Sequence, residues 1–206
     1  MLTVMSCCRP VRDAELIQIM DAALTEAAGK AGSWLVCRPG CTQCCVGAFA
    51  INRLDAARLQ AGLTRLEQED PERAQQVRAR AHAYLQRVSR DFPGDISTGL
   101  LGDKEGDKKR FEWFADEEVC PALDPEMGTC DLYKFRPMTC RVFGPPVRND
   151  DGNLSVCELC FHGATHGQIL SCELKPDPEG LEELLLDELK SAGDVGDTIV
   201  AFALTR

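Results

Sequence analysis

Apolar residues recur at helical spacing near both ends of this chain and lose all regular spacing in between. Leu16, Met20, Ala23, Leu24 and Ala27 fall on one helical face over 13–28, and Gly29 and Gly32 close it. Asn52 is a suitable cap for a short helix carrying Leu54, Ala57 and Leu59, ended by Gly62. Pro71 opens a longer helix with Val77, Ala81, Tyr84, Leu85 and Val88 on its apolar stripe and Arg and Gln opposite. That helix stops at Asp91-Phe92-Pro93-Gly94. The segment 179–192 predicts another helix, with Leu181, Leu184, Leu185 and Leu189 on one face.

The rest is punctuated by turns. Residues 93–110 are rich in Gly and Asp and read as a mobile loop. Residues 111–114 read as a short strand leading towards Cys120. Pro121, Asp124-Pro125, Gly128, Arg136-Pro137 and Gly144-Pro145-Pro146 break any longer element over 121–150. The segment 158–172 reads as helical, and 198–204 as a final strand or the tail of the preceding helix. No repeat of fixed period and no low-complexity block occurs. The pattern predicts one α-rich α+β domain over 1–206, its helices framing a loop-built centre with a few short strands. Within it, 1–36 supplies an N-terminal helix and 37–172 a core with a helical insertion at 52–92. The remainder, 173–206, supplies a C-terminal helix and the short closing element.

What fills the unpatterned middle is sulfur. The chain has 206 residues and 12 cysteines. Cys37, Cys41, Cys44 and Cys45 lie in one short segment broken by Pro39 and Gly40. Cys120, Cys130 and Cys140 follow within the turn-rich stretch, and Cys157-x2-Cys160 comes last. Thiolates are strong ligands for soft and borderline metals, and tight turns let sulfurs a few residues apart converge. Side chains of adjacent residues diverge, so Cys44 and Cys45 are not expected to serve one mononuclear ion in the same way. The first metal-ligand candidates are Cys37, Cys41, Cys44, Cys120, Cys130 and Cys140, with Cys45, Cys157 and Cys160 as secondary ones. Lys134, Arg136 and Arg141 are placed to favour thiolates and offset their charge. Cys172 beside Leu170 reads as a small core residue. Cys7 and Cys8 on the terminus are left out, and His162 and His166 are read as exposed.

Composition narrows the setting. The net charge is −10, which disfavours nucleic-acid partners recognised by a basic face. The basic residues Lys104, Lys108, Lys109 and Arg110 are interrupted by Asp103, Glu105 and Asp107 and read as a solvated loop. No leader pattern and no membrane-spanning apolar run is seen, so a cytoplasmic location is expected. There thiols stay reduced and serve as ligands or redox groups. Aromatic content of 6% is lean, and a bound metal would add folding energy that a small core lacks.

The motifs resemble the YkgJ-type cysteine-cluster family, described as zinc- or iron-chelating. The resemblance lies in Cys37-x3-Cys41-x2-Cys44-Cys45, then Cys120-Pro121-x-Leu123, then Gly128-x-Cys130-x2-Tyr133-x2-Arg136-Pro137-x2-Cys140-Arg141, in that order over residues 37–143. It implies a bound metal and no defined reaction. Between metals, three closely spaced thiols with a remote one, and the Cys120-Pro121 pair, favour an iron-sulfur cluster of the 4Fe-4S type. Zinc more often takes two close cysteine pairs and stands as the alternative. The expected role is structural or electron-carrying, in company with a protein partner. Storage or delivery of zinc is a second reading, favouring exposed thiols. The Cys37-x3-Cys41-x2-Cys44 spacing also equals that of radical S-adenosylmethionine enzymes, but the strand-helix units of their partial barrel are missing from the pattern. No residue is assigned a catalytic role, and no catalytic constellation is seen beyond the cysteine cluster.

Overall fold

The computed structural model describes residues 10–149 and 151–206, so Cys7 and Cys8 lie outside the described residues. Helix α1 spans Asp13–Ala31, α2 Arg53–Glu69 and α3 Pro71–Val88. A hairpin of β1 (Gly94–Asp95) and β2 (Leu100–Leu101) leads to α4 (Glu105–Phe111). A second hairpin pairs β3 (Leu123–Asp124) with β4 (Thr129–Cys130), followed by α5 (Met138–Val142). A third joins β5 (Val147–Arg148) to β6 (Leu154–Ser155). Helices α6 (His166–Ser171), α7 (Leu181–Ser191) and α8 (Val200–Thr205) complete the chain. The fold is α-rich α+β, and all three hairpins are antiparallel.

Capping fixes where the long helices begin. The Asn52 side chain accepts the Asp55 N–H at the head of α2, and Asp70 accepts the Arg73 N–H at the head of α3, with Pro71 in the first turn. Helix α2 does not stop at Gly62 but runs two turns further. Gly62 stays inside the helix because a Cβ there would stand 2.5 Å from Cγ of Phe135. Its bareness lets the 133–135 turn lie directly on α2.

Two of the apolar clusters share α2, and a third, aromatic one packs on α3 and α8. Leu59, Leu63, Val77, Ala81, Leu132 and Leu204 unite α2, α3 and α8. Leu16, Met20, Leu54, Met138, Leu181 and Leu185 join α1, α2, α5 and α7. Phe92, Phe114 and Phe202 pack edge to face beneath Tyr84. Burial of this kind contributes about 1.5–3 kcal/mol per large side chain before chain entropy is set against it.

The short elements depart from the sequence expectation for one reason: tertiary contacts define them. Residues 93–110 hold a hairpin and α4, not a loop, since Leu101 N–H donates to Asp197 and Gly102 N–H to Pro93. Residues 112–117 are turns, with Phe114 buried in the aromatic cluster. Only 166–171 of the 158–172 segment is helical, opened by a capping box of Thr165 and Gln168. Residues 200–205 form a helix; what is extended is Thr198, bridged to Ile51. Leu184, expected on the buried face of α7, is 55% exposed. No helix among the described residues is long and apolar enough to cross a membrane.

Candidate metal centre

All ten described cysteines are free thiols. Backbone pairing gathers them. Cys120 N–H donates to Cys45 O (2.8 Å) and Gly47 N–H to Glu118 O (2.9 Å), so the Cys44-Cys45 turn lies beside Cys120. The β3–β4 hairpin then sets Cys130 opposite Leu123, three residues past Cys120. Asp124 closes that hairpin by accepting the N–H groups of Glu126 and Met127. Cys140 is brought in by α5, whose first N–H, on Met138, donates to the buried Asp55 carboxylate (2.9 Å). Asp55 is held in turn by Arg58, which also reaches Asp13, all three inside the protein. A buried ionic triad on α1 and α2 thus seats the helix carrying one candidate ligand.

The Cys37–Cys41 loop is tied both to the β3–β4 hairpin and to the segment after β6. Gly40 N–H donates to Gly128 O, while Phe161 N–H donates to Trp34 O (2.9 Å) and brings the Cys157–Cys160 turn against the segment after α1. Trp34 and Phe161 rings lie 6.2 Å apart there. Gln43 donates to Glu158 between the paired cysteines (3.4 Å). Cys37 is exposed as a residue, yet its sulfur turns inward: a Cβ on Gly144, at φ +112°, would stand 2.7 Å from it.

Electrostatics follow the same division. Burial pushes the Cys37 thiol up to about 12, with Cys160, Cys41 and Cys157 adding to it. Cys157 is raised by burial and then by Cys160 and Cys41. In the other group, burial lifts Cys120 to about 12 with Cys130 adding and Arg80 opposing. Cys130 and Cys140 are raised by burial too; Cys44 adds to both, and Cys120 and Cys130 add to Cys140. Cys44 is the exception, lowered to about 6 chiefly because the Cys45 thiol donates to it, with Arg136 assisting. Cys45 correspondingly holds its proton more tightly. Crowded, partly buried thiols resist losing protons one at a time, and a cation that binds several thiolates relieves that resistance.

The donor chemistry suits a thiophilic metal. As they stand, no three His, Cys, Asp or Glu side chains among the described residues close tightly enough to hold an ion.

The cations are not all where the sequence suggests. Arg136, stacked on Tyr133 at 3.9 Å, does act on Cys44 and Cys130. Arg141 instead points away and donates to Lys134 O, Arg136 O and Asp21. Arg80 on α3 was not legible as part of this region, because a polar helix face reads as solvated. It donates to Pro121 O and Asp131, and Arg73 joins it on Asp131, bracing the backbone beside Cys120 and Cys130. His162 and His166 are exposed, and Cys172 is fully buried among Ala31, Cys160 and Phe161. An open groove of about 1020 Å³, lined by Arg53, Arg65, Thr98 and Arg206 among others, contains no cysteine.

A helical frame with free thiols collected on its loops and shortest elements defines a cysteine-cluster, metal-binding type of protein. A family model described as "CxxCxxCC: Putative zinc- or iron-chelating domain" matches residues 36–160, and the chain belongs to that family. No match is found among curated proteins or among solved structures.

Proposed function

We propose that the group formed by Cys44, Cys120, Cys130 and Cys140, with Cys45 beside them, holds an iron-sulfur cluster in a structural or electron-carrying role alongside a protein partner. The observation behind this reading is the number and origin of the thiols. They come from four places in the chain to one region, the Cys44-Cys45 turn, Cys120, Cys130 and Cys140, and are not arranged as the two close pairs that structural zinc favours. A polynuclear cluster has several metal atoms and suits dispersed cysteines better. When bound, it would supply reversible one-electron chemistry. The chain's own residues do the rest. Arg136 and Arg80 offset thiolate charge, Asp55 fixes α5, and the Val46–Val119 bridge holds the two edges of the site together. The three antiparallel hairpins give no support to a radical-enzyme barrel, which needs parallel strand-helix units.

Anaerobic purification, followed by visible spectroscopy and assay of iron, sulfide and zinc, tests the reading. Thiolate-to-iron absorption with matching iron and sulfide is the expected result. A colourless protein loaded with zinc at these same thiols would overturn it. Metal lost rapidly to a mild chelator would favour storage or delivery.

A further inference from the structure

We propose that Cys37, Cys41, Cys157 and Cys160 form a second, separate metal site, a four-thiolate zinc site that clasps the 143–172 region to the loop following α1. This goes beyond the cluster reading and does not depend on it.

Two closely spaced pairs are the arrangement structural zinc favours, and here each pair sits on its own turn. Cys41 N–H donates to Arg38 O and Cys160 N–H to Cys157 O, both at 2.9 Å. The two turns are brought together by bonds involving no thiol. Phe161 N–H reaches Trp34 O, the Trp34 and Phe161 rings meet, and the Gln43 side chain spans to Glu158. The first cysteine motif is therefore shared. Cys45 O accepts from Cys120 N–H while Gln43 and the Trp34 segment reach the Cys157–Cys160 turn, and Gly40 N–H to Gly128 O keeps the two sides adjacent.

The region that would be clasped has little else to hold it. Strands β5 and β6 have two residues each and α6 has six. Few of its described residues are buried: Gly144, Pro145, Pro146, Cys160, Phe161 and Cys172. A metal whose binding energy becomes folding energy supplies what this small core does not. Zinc entering the site displaces the protons of the four thiols to solvent, and no electron transfer is involved.

Alkylation of the purified native protein under increasing chelator, with each cysteine's labelling read by mass spectrometry and released metal measured, tests the site. Cys37, Cys41, Cys157 and Cys160 should lose protection together, with release of about one zinc per chain. Cys44, Cys120, Cys130 and Cys140 should lose theirs in a distinct step. The Cys157→Ser/Cys160→Ser double variant should lose that zinc and keep the metal at the other group. Labelling of Cys157 and Cys160 while Cys37 and Cys41 stay protected, a single step for all eight, or full zinc content in the double variant would overturn the proposal. An iron-free protein in which the four still leave with one zinc would refute the cluster reading and leave this one standing.

Discussion

Cys44 differs from its neighbours because the Cys45 S–H donates a hydrogen bond to it and Arg136 lies near, which together bring it down to about 6. In metal-free protein it should therefore be the fastest cysteine to react with iodoacetamide at pH 7, since the thiolate is the nucleophile. The sign is definite: above about 6 the rate is on its plateau, and below it each pH unit should cost about tenfold. Cys45→Ala should move that midpoint upward, and Arg136→Gln should move it upward by less. A Cys44 that labels no faster than Cys130 would contradict the geometry. The thiols themselves were plain in the sequence, because cysteines in Pro- and Gly-broken segments have little other use. Their partition was not. Which sulfur joins which depends on bonds such as Phe161 N–H to Trp34 O, between residues remote in sequence.

Among the elements, α2 does the most to position the site. Gly62 allows the 133–135 turn to approach, and that turn carries the chain to Arg136. Gly62→Ala gains about 1 kcal/mol of helix propensity but forces a methyl into the Phe135 ring, at a cost of about 1–3 kcal/mol. Chemical denaturation should show net destabilisation, and an unchanged midpoint would mean Phe135 moves aside freely. The triad of Arg58, Asp13 and Asp55 also acts through this helix. Arg58→Ala removes the guanidinium that pairs with the buried Asp55 and Asp13 carboxylates, for an expected loss of about 3–5 kcal/mol in denaturant titration. A loss below about 1 kcal/mol would show that water reaches the site. Helices α1, α3 and α7, and the first half of α2, were legible from their apolar spacing. Helix α4, α8 and the hairpins were not, because elements of two to seven residues are stabilised by what they touch. Thr198 bridging Ile51 and Phe114 closing on Phe92 are contacts no local pattern announces.

At the scale of the molecule, two kinds of structure are joined. The α2, α3 and α8 core is apolar and continuous, whereas the cysteine-bearing loops have only two-residue hairpins and short helices to shape them. Removing metal should therefore leave most far-UV helical signal intact while proteolysis opens the 37–45 and 120–160 segments. Simultaneous loss of the whole helical signal would mean that core and loops unfold as one unit. The general architecture followed from the alternation of helical patterning with turn-rich sulfur. The division of labour between the two thiol groups emerged only from the pairing of distant segments. The claim on which the account turns is that the Cys44, Cys120, Cys130 and Cys140 thiols bind metal. Quantifying iron, sulfide and zinc per chain in anaerobically prepared protein, beside a Cys130→Ser/Cys140→Ser variant, tests it most directly. Iron and sulfide in the parent and their loss from the variant are predicted; equal metal content in both would contradict the account.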